Sequence, residues 1–177
     1  KYNLARLNLA TENFKEGWHD FELRHYQNEV DKRIIDILKL KKWNGKRFVG
    51  TLFIHGEQGI GDIILHSSMI IDLCKIQSNI CLTVDPRLVS LYKRSFKQVN
   101  VISYESNINY NKSDQHITLA SLGLYLRNSI NNFPKVLSSY IQPDTEKINY
   151  FKEKLFRNKK IIVGLSWRTI GYRSEQR

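Results

Sequence analysis

The strongest constraint on this chain is the way apolar runs alternate with amphipathic stretches from residue 48 onward. Residues 48–55 (Phe-Val-Gly-Thr-Leu-Phe-Ile-His), 80–84 (Ile-Cys-Leu-Thr-Val), 99–104, a short run ending near Thr118, and 161–167 (Ile-Ile-Val-Gly-Leu-Ser-Trp) read as strands. Helical spacing is expected over about 62–77, with Ile64, Ile71 and Leu73 among its apolar residues. Further helices are expected from Pro86, where proline suits a first helical position, and from near Ala120. Another starts at Pro143-Asp144, with Ile148, Phe151, Leu155 and Phe156 on one face. Residues 105–115 read as a polar loop. Near-continuous apolar strands alternating with amphipathic helices call for a parallel sheet covered on both faces. The expected class is α/β, a Rossmann-like doubly wound parallel sheet.

A different pattern precedes it. Over residues 3–29, Leu4, Leu7, Leu9, Ala10, Phe14, Trp18, Phe21, Glu22 and Tyr26 recur at helical spacing, broken near Thr11-Glu12-Asn13. Two short helices with a turn are expected. A lone helix pair cannot bury its apolar face, so it is expected to pack on the next domain or to end a repeat array. Glu29 to Gly45 is charged and less regular, and Trp43-Asn44-Gly45-Lys46 reads as a turn at a domain boundary. The expected organisation is a helical segment at 1–45, an α/β domain at 46–160 and the start of another domain at 161–177.

Charge separates the function classes. The net charge of +11 raises nucleic acid as a partner. It is distributed as +4 over residues 1–47 (11 Lys/Arg, 7 Asp/Glu), +1 over 48–145 (8 and 7) and +6 over 146–177 (9 and 3). The part with the best fold signal is nearly neutral, so nucleic acid is the weakest partner class. No apolar run is long enough to span a bilayer, and Lys1 to Arg6 lack the apolar core of a signal peptide. The chain does not begin with Met and reads as a fragment of a cytoplasmic protein. Cys74 and Cys81 are expected to be free buried thiols, and the five histidines lack metal-site spacing.

Chemistry concentrates in Gly56-Glu57-Gln58-Gly59-Ile60-Gly61-Asp62, between the first strand and its helix. Open parallel sheets bind ligands beyond the carboxyl ends of strands, and glycines there permit positive φ and close backbone approach. No Lys-Ser/Thr follows, so this is not a P-loop, and the Gly-x-x-Gly-x-Gly spacing departs from the dinucleotide fingerprint. Asp62 has two readings: an N-cap of the following helix, or a carboxylate that accepts a proton from a hydroxyl nucleophile. The helix dipole would weaken it in the second role. Glu57 and Gln58 could orient a polar ligand or be loop surface, and His55 is either a second acid/base or a hydrogen-bonded strand-end residue.

These residues, taken with others in chain order, resemble the bacterial glycosyltransferases in which tetratricopeptide repeats precede a GT-B catalytic region. Asn3-Leu4-Ala5, Phe14-Lys15-Glu16-Gly17-Trp18 and Phe21-Glu22-Leu23-Arg24 look like a last repeat, and Trp43-Asn44-Gly45-Lys46 looks like the start of the catalytic region. His55 to Asp62 resembles the glycine-rich motif, and Ala120-Ser121-Leu122-Gly123 and Val163-Gly164-Leu165-Ser166-Trp167-Arg168 resemble later landmarks. The resemblance implies the acceptor-side half of an enzyme that moves a sugar from a nucleotide-sugar to a hydroxyl acceptor, protein or glycan, without a metal or other cofactor. It implies Asp62 as general base, with Glu57, Gln58, Gly59, Gly61, Ser121, Gly123 and Arg168 near substrate. Arg173 and Arg177 read as a solvated end. The alternative is a non-catalytic module whose helix pair recruits a protein partner. That alternative predicts a crevice filled by side chains and an exposed patch at Trp18 and Tyr26.

Overall fold

The computed structural model describes residues 1–26, 39–135, 139–156 and 162–165. Helices α1 (Tyr2–Ala10) and α2 (Phe14–Phe21) pack on each other, and a 3-10 turn, Glu22–Tyr26, extends α2. Their connection is tight because Glu12 takes the left-handed conformation (φ 65°), while Thr11 Oγ1 donates to Leu7 O at 2.9 Å. Ala5, Trp18 and Phe21 are buried, whereas Leu4 and Leu7 face outward.

Five strands follow: β1 (Lys41–Lys42), β2 (Leu52–His55), β3 (Ile80–Val84), β4 (Asn100–Ser103) and β5 (Gln115–Thr118). They pair in the order β1-β5-β2-β3-β4, every pair parallel. The sheet and its helices are consistent with a Rossmann-like α/β fold. Residues of alternating parity sort onto the two faces. Leu52, Ile54, Leu82, Val84, Val101 and Ile117 form one core with Ile63, Ile70, Leu73, Leu88 and Tyr92 from helices α3 (Ile60–His66), α4 (Ile70–Ile76) and α5 (Pro86–Ser95). Each such buried side chain contributes ~1.5–3 kcal/mol, so this layer dominates stability. Phe53 and Cys81 face the other way and meet Leu40, Ile102, Ile108 and Tyr110.

Several boundaries differ from the sequence pattern for local reasons. The first long strand shortens to β2, because Gly50 turns the chain at φ 137° and leaves Val49 exposed. The helix expected over 62–77 starts at Ile60 and passes through a 3-10 turn at Ser67–Met69. There Ser67 Oγ donates to Ile64 O and Ser68 Oγ to Leu65 O, a back-bonding that competes with regular helix. Asp85 caps α5 by accepting from Arg87 N at 2.9 Å, with Pro86 at the first position. After β5 comes a 3-10 turn, Ala120–Leu122, and the short α6 (Gly123–Leu126).

Lys1–Gln142 forms one compact unit and Pro143–Arg177 a second. In the second, α7 (Thr145–Phe156) exposes Tyr150, Phe151 and Leu155. The strand expected over 161–167 is not present in its described part: residues 162–165 carry no regular structure, and Val163 and Leu165 are exposed. An apolar run needs a neighbouring ladder to become a strand, and it has none among the described residues. No described helix is long and apolar enough to cross a membrane.

Candidate functional site

Strands β3 and β4 lie to one side of β2, and β5 returns to its other side. The carboxyl ends of β2 and β5 therefore flank the reversal of strand order, where open α/β sheets form their ligand crevice. His55 pairs with Thr118 in register, and Leu119 N donates to His55 O at 2.8 Å. The glycine loop rises from β2 and residues 119–123 from β5, so Glu57 and Ser121 meet in space. Ala120 N donates to Glu57 Oε1 at 3.2 Å.

Between them sits Arg24, 3% exposed. Its Nε donates to Glu57 Oε2 (3.0 Å), and one terminal nitrogen to Glu57 Oε1 (2.7 Å), Thr118 Oγ1 (2.9 Å) and Ser121 Oγ (2.7 Å). The other terminal nitrogen donates to Glu22 Oε1 (2.8 Å) and Phe21 O (3.0 Å). The five N–H groups of the guanidinium thus reach six acceptor atoms, one N–H being shared between two of them. Glu22 also takes Lys42 Nζ at 2.7 Å and a hydrogen bond from Ser121 Oγ. Burial pushes the Glu22 carboxyl up, but Arg24 together with the Lys42 and Ser121 hydrogen bonds outweighs it and brings the group to about 2. Burial likewise opposes ionisation of Glu57 and is outweighed by the Arg24 hydrogen bonds and charge, so its pKa is lowered. Both carboxylates stay ionised and engaged, which makes them structural acceptors rather than proton carriers near neutral pH.

Two imidazoles border the cluster. His25 Nδ1 lies 3.9 Å from Glu57 Oε2, and its Nε2 is 3.4 Å from Thr118 Oγ1. Burial first, then Arg24, lowers the pKa of His25 against the pull of Glu57. His66, against the Trp18 and Phe21 rings, is lowered by burial despite Glu57 and Asp62. His55 is a buried strand-end residue: Nδ1 shares a hydrogen bond with Thr83 Oγ1 (2.9 Å), and the ring lies 5.0 Å from that of Tyr104.

The outer lip of the loop is different. Asp62 Oδ2 accepts from Gly59 N at 3.1 Å, capping α3 from its third position. The loop residue with positive φ is Gln58 (62°), and none of Gly56, Gly59 and Gly61 is in that region. The glycines were expected to supply that conformation. Gly56 instead answers close packing, since an added Cβ would lie 3.0 Å from Thr83 O. At Gly61 an added Cβ would meet nothing within 4 Å. Gln58 is exposed. Gly123 packs under Trp18, where a Cβ would come within 2.4 Å of the indole, and Trp18 Nε1 donates to Arg127 O at 2.8 Å. Gly123 is therefore covered, and Trp18 is buried rather than part of an exposed patch. The Tyr26 side chain, Arg168, Arg173 and Arg177 lie outside the described residues.

Sequence reasoning missed Arg24 and Glu22 as the centre of the site. A signal was present: Arg24 follows Trp18 and Phe21 at spacings that keep it on their apolar stripe. A charge on a buried stripe requires a buried partner. Among the described residues no group of three His, Cys, Asp or Glu side chains could hold a metal ion.

The chain is similar to Protein FlbA of Caulobacter vibrioides, 28% identical over 192 aligned residues that cover 97% of this chain and 32% of that protein. The chain thus spans about a third of the length of this curated relative. No family model matches the sequence, and no solved structure matches it. The resemblance to repeat-linked glycosyltransferases is thereby overturned: the alignment that covers 97% of this chain is to FlbA, not to a glycosyltransferase. The glycine and tryptophan landmarks that carried it are short, and here Gly123 and Trp18 are accounted for by packing on each other.

Proposed function

We propose that residues 1–142 act as a non-catalytic binding module, in which the amino-terminal helix pair is latched into the strand-end crevice of the α/β sheet. The observation that carries this reading is Arg24, which fills the crevice and engages six acceptor atoms at 3% exposure. A substrate entering there would have to break a buried ion pair, at a cost of ~3–5 kcal/mol. The latch holds α1 so that Leu4 (51% exposed) and Leu7 (57%) present an apolar face to a protein partner.

One observation favours a second reading. Packing does not account for Gly61, which lies exposed beside the half-buried Asp62, whereas close backbone approach of a ligand would. In that reading the sheet is the doubly wound acceptor-side domain of a sugar-transfer enzyme. Asp62 takes the proton of an acceptor hydroxyl as its oxygen bonds the anomeric carbon and a nucleoside diphosphate leaves. Amide hydrogen exchange with nucleoside-diphosphate sugars separates the two. The binding module predicts unchanged exchange over residues 56–62 and 118–123 and no release of nucleoside diphosphate. Saturable protection there, with release that Asp62→Asn removes, would establish the enzyme instead.

A further inference from the structure

Beside the crevice, at the β1 edge of the sheet, lies a second polar cluster that shares Thr118 and Lys42 with the latch and adds His116. Lys42 and His116 are register partners on the parallel strands β1 and β5, so their side chains rise from the same face. Thr118, two residues further along β5, shares that face and is 3.4 Å from His25 Nε2. His116 is 7% exposed, and its Nδ1 is buried without a hydrogen-bond partner among the described residues. Leaving such a nitrogen unpaired costs ~1–3 kcal/mol, which a native fold retains where a partner arrives from outside.

The neighbours say what that partner is. Lys42 is an ammonium with three donors, one of them directed at Glu22 Oε2 (2.7 Å), and its side chain is half-exposed. His25 is 35% exposed at its side chain, which leaves a path to solvent. Lys42 acts on His116 as a positive neighbour. With Nδ1 of His116 as donor, the nook offers several donors and borders two carboxylates that are already engaged: Glu22, held by Arg24, Lys42 and Ser121, and Glu57, 3.9 Å from His25 Nδ1 and held by Arg24 and Ala120 N.

We infer that the nook formed by Lys42, His116, Thr118 and His25 is a binding site for a small oxyanion, a phosphate or carboxylate group. The site rests on the latch, which holds Thr118 and Lys42 in place, but it involves neither Asp62 nor the glycine lip, so oxyanion binding at His116 is read separately from nucleoside-diphosphate binding at residues 56–62. A free anion fits the burial of His116 better than one on a macromolecule, because a side chain only 7% exposed is reached more readily by a small ion than by a large surface.

The test follows histidine side-chain NMR signals of the intact chain during titration with inorganic phosphate, with acetate, and with sodium chloride at matched ionic strength. Saturable movement of the His116 signals is expected with phosphate or acetate, half-complete at ~1–10 mM, and absent with chloride. Whichever of the two binds more tightly identifies the class of oxyanion. Lys42→Met should weaken the response ~3–10-fold, in keeping with loss of one charge-assisted hydrogen bond. His116→Phe should abolish the accompanying movement of His25. If His116→Phe does not fold, the exposed-site variant Lys42→Met still decides. An equal response to chloride, no response to either oxyanion, or an unchanged midpoint in Lys42→Met would overturn the site.

Discussion

Arg24 is the residue on which the amino-terminal helices and the sheet depend together. Its charge is matched by Glu57 and Glu22 at hydrogen-bonding distance and screened from water. Replacing it by methionine removes all five guanidinium donors and leaves Glu57 without its cation, while Glu22 keeps Lys42. Arg24→Met is expected to lose ~3–5 kcal/mol, read as a lower urea midpoint at constant slope. Adding Glu57→Leu should recover part of that loss, because one buried charge goes with its partner; a double variant weaker than the single one would show that Glu57 has other essential contacts. Gly61 gives the opposite sign. Gly61→Ala should stabilise the protein by up to ~1 kcal/mol through helix propensity, since the space above it is open. Thermal melting measures this, and destabilisation would mean that the loop geometry needs glycine there.

At the scale of elements, α2 and α6 are joined by one close contact. The indole of Trp18 lies directly on Gly123, and its N–H is bound by the Arg127 carbonyl. Gly123→Ala must push a methyl group into that ring, so a loss of ~1–3 kcal/mol is expected from overpacking. Trp18→Phe keeps an aromatic ring but strands the Arg127 carbonyl, with a similar ~1–3 kcal/mol loss. Hydrogen exchange should then rise in α1 and α2 before it rises in β2, β3 and β5. Uniform loss across all these elements would mean that the helices and the sheet open only together. Ser67 works on a third pair, linking the 3-10 turn between α3 and α4 to Tyr92 of α5 at 2.8 Å.

Across the whole molecule, the pH dependence follows from which groups the fold keeps neutral or charged. His25, His66 and His116 lie below their ordinary value of 6.5 in the fold, with burial the largest cause in each. The unfolded chain therefore binds more protons as pH falls through 6.5, and the stability these groups contribute above that value is lost. Glu22 and Glu57 lie below their ordinary value of 4.5, with Glu22 at about 2. Their contribution is present above 4.5 and is lost as pH falls from there toward about 2. Urea midpoints are expected to decline first below 6.5 and again below 4.5. A flat profile between pH 7 and 5 would show that the three imidazoles titrate alike in both states.

The sequence by itself determined the α/β class, the positions of β3, β5 and α5, and the helix-turn-helix start, because these follow from local periodicity and from residues such as Pro86 and Asp85. It also marked the segments 56–62 and 120–123, whose convergence at the reversal of strand order follows from any sheet that places β2 beside β5. What only the tertiary structure decided was how those segments are used. Arg24 lies 33 residues from Glu57 and 97 from Ser121, and no local pattern records that they meet. The apolar run at 162–165 makes the converse point: its composition suits a strand, yet it stays exposed, because a strand exists only where another chain segment offers its backbone. Periodicity is a property of neighbours in sequence, whereas burial of a charge and pairing of a ladder depend on neighbours in space.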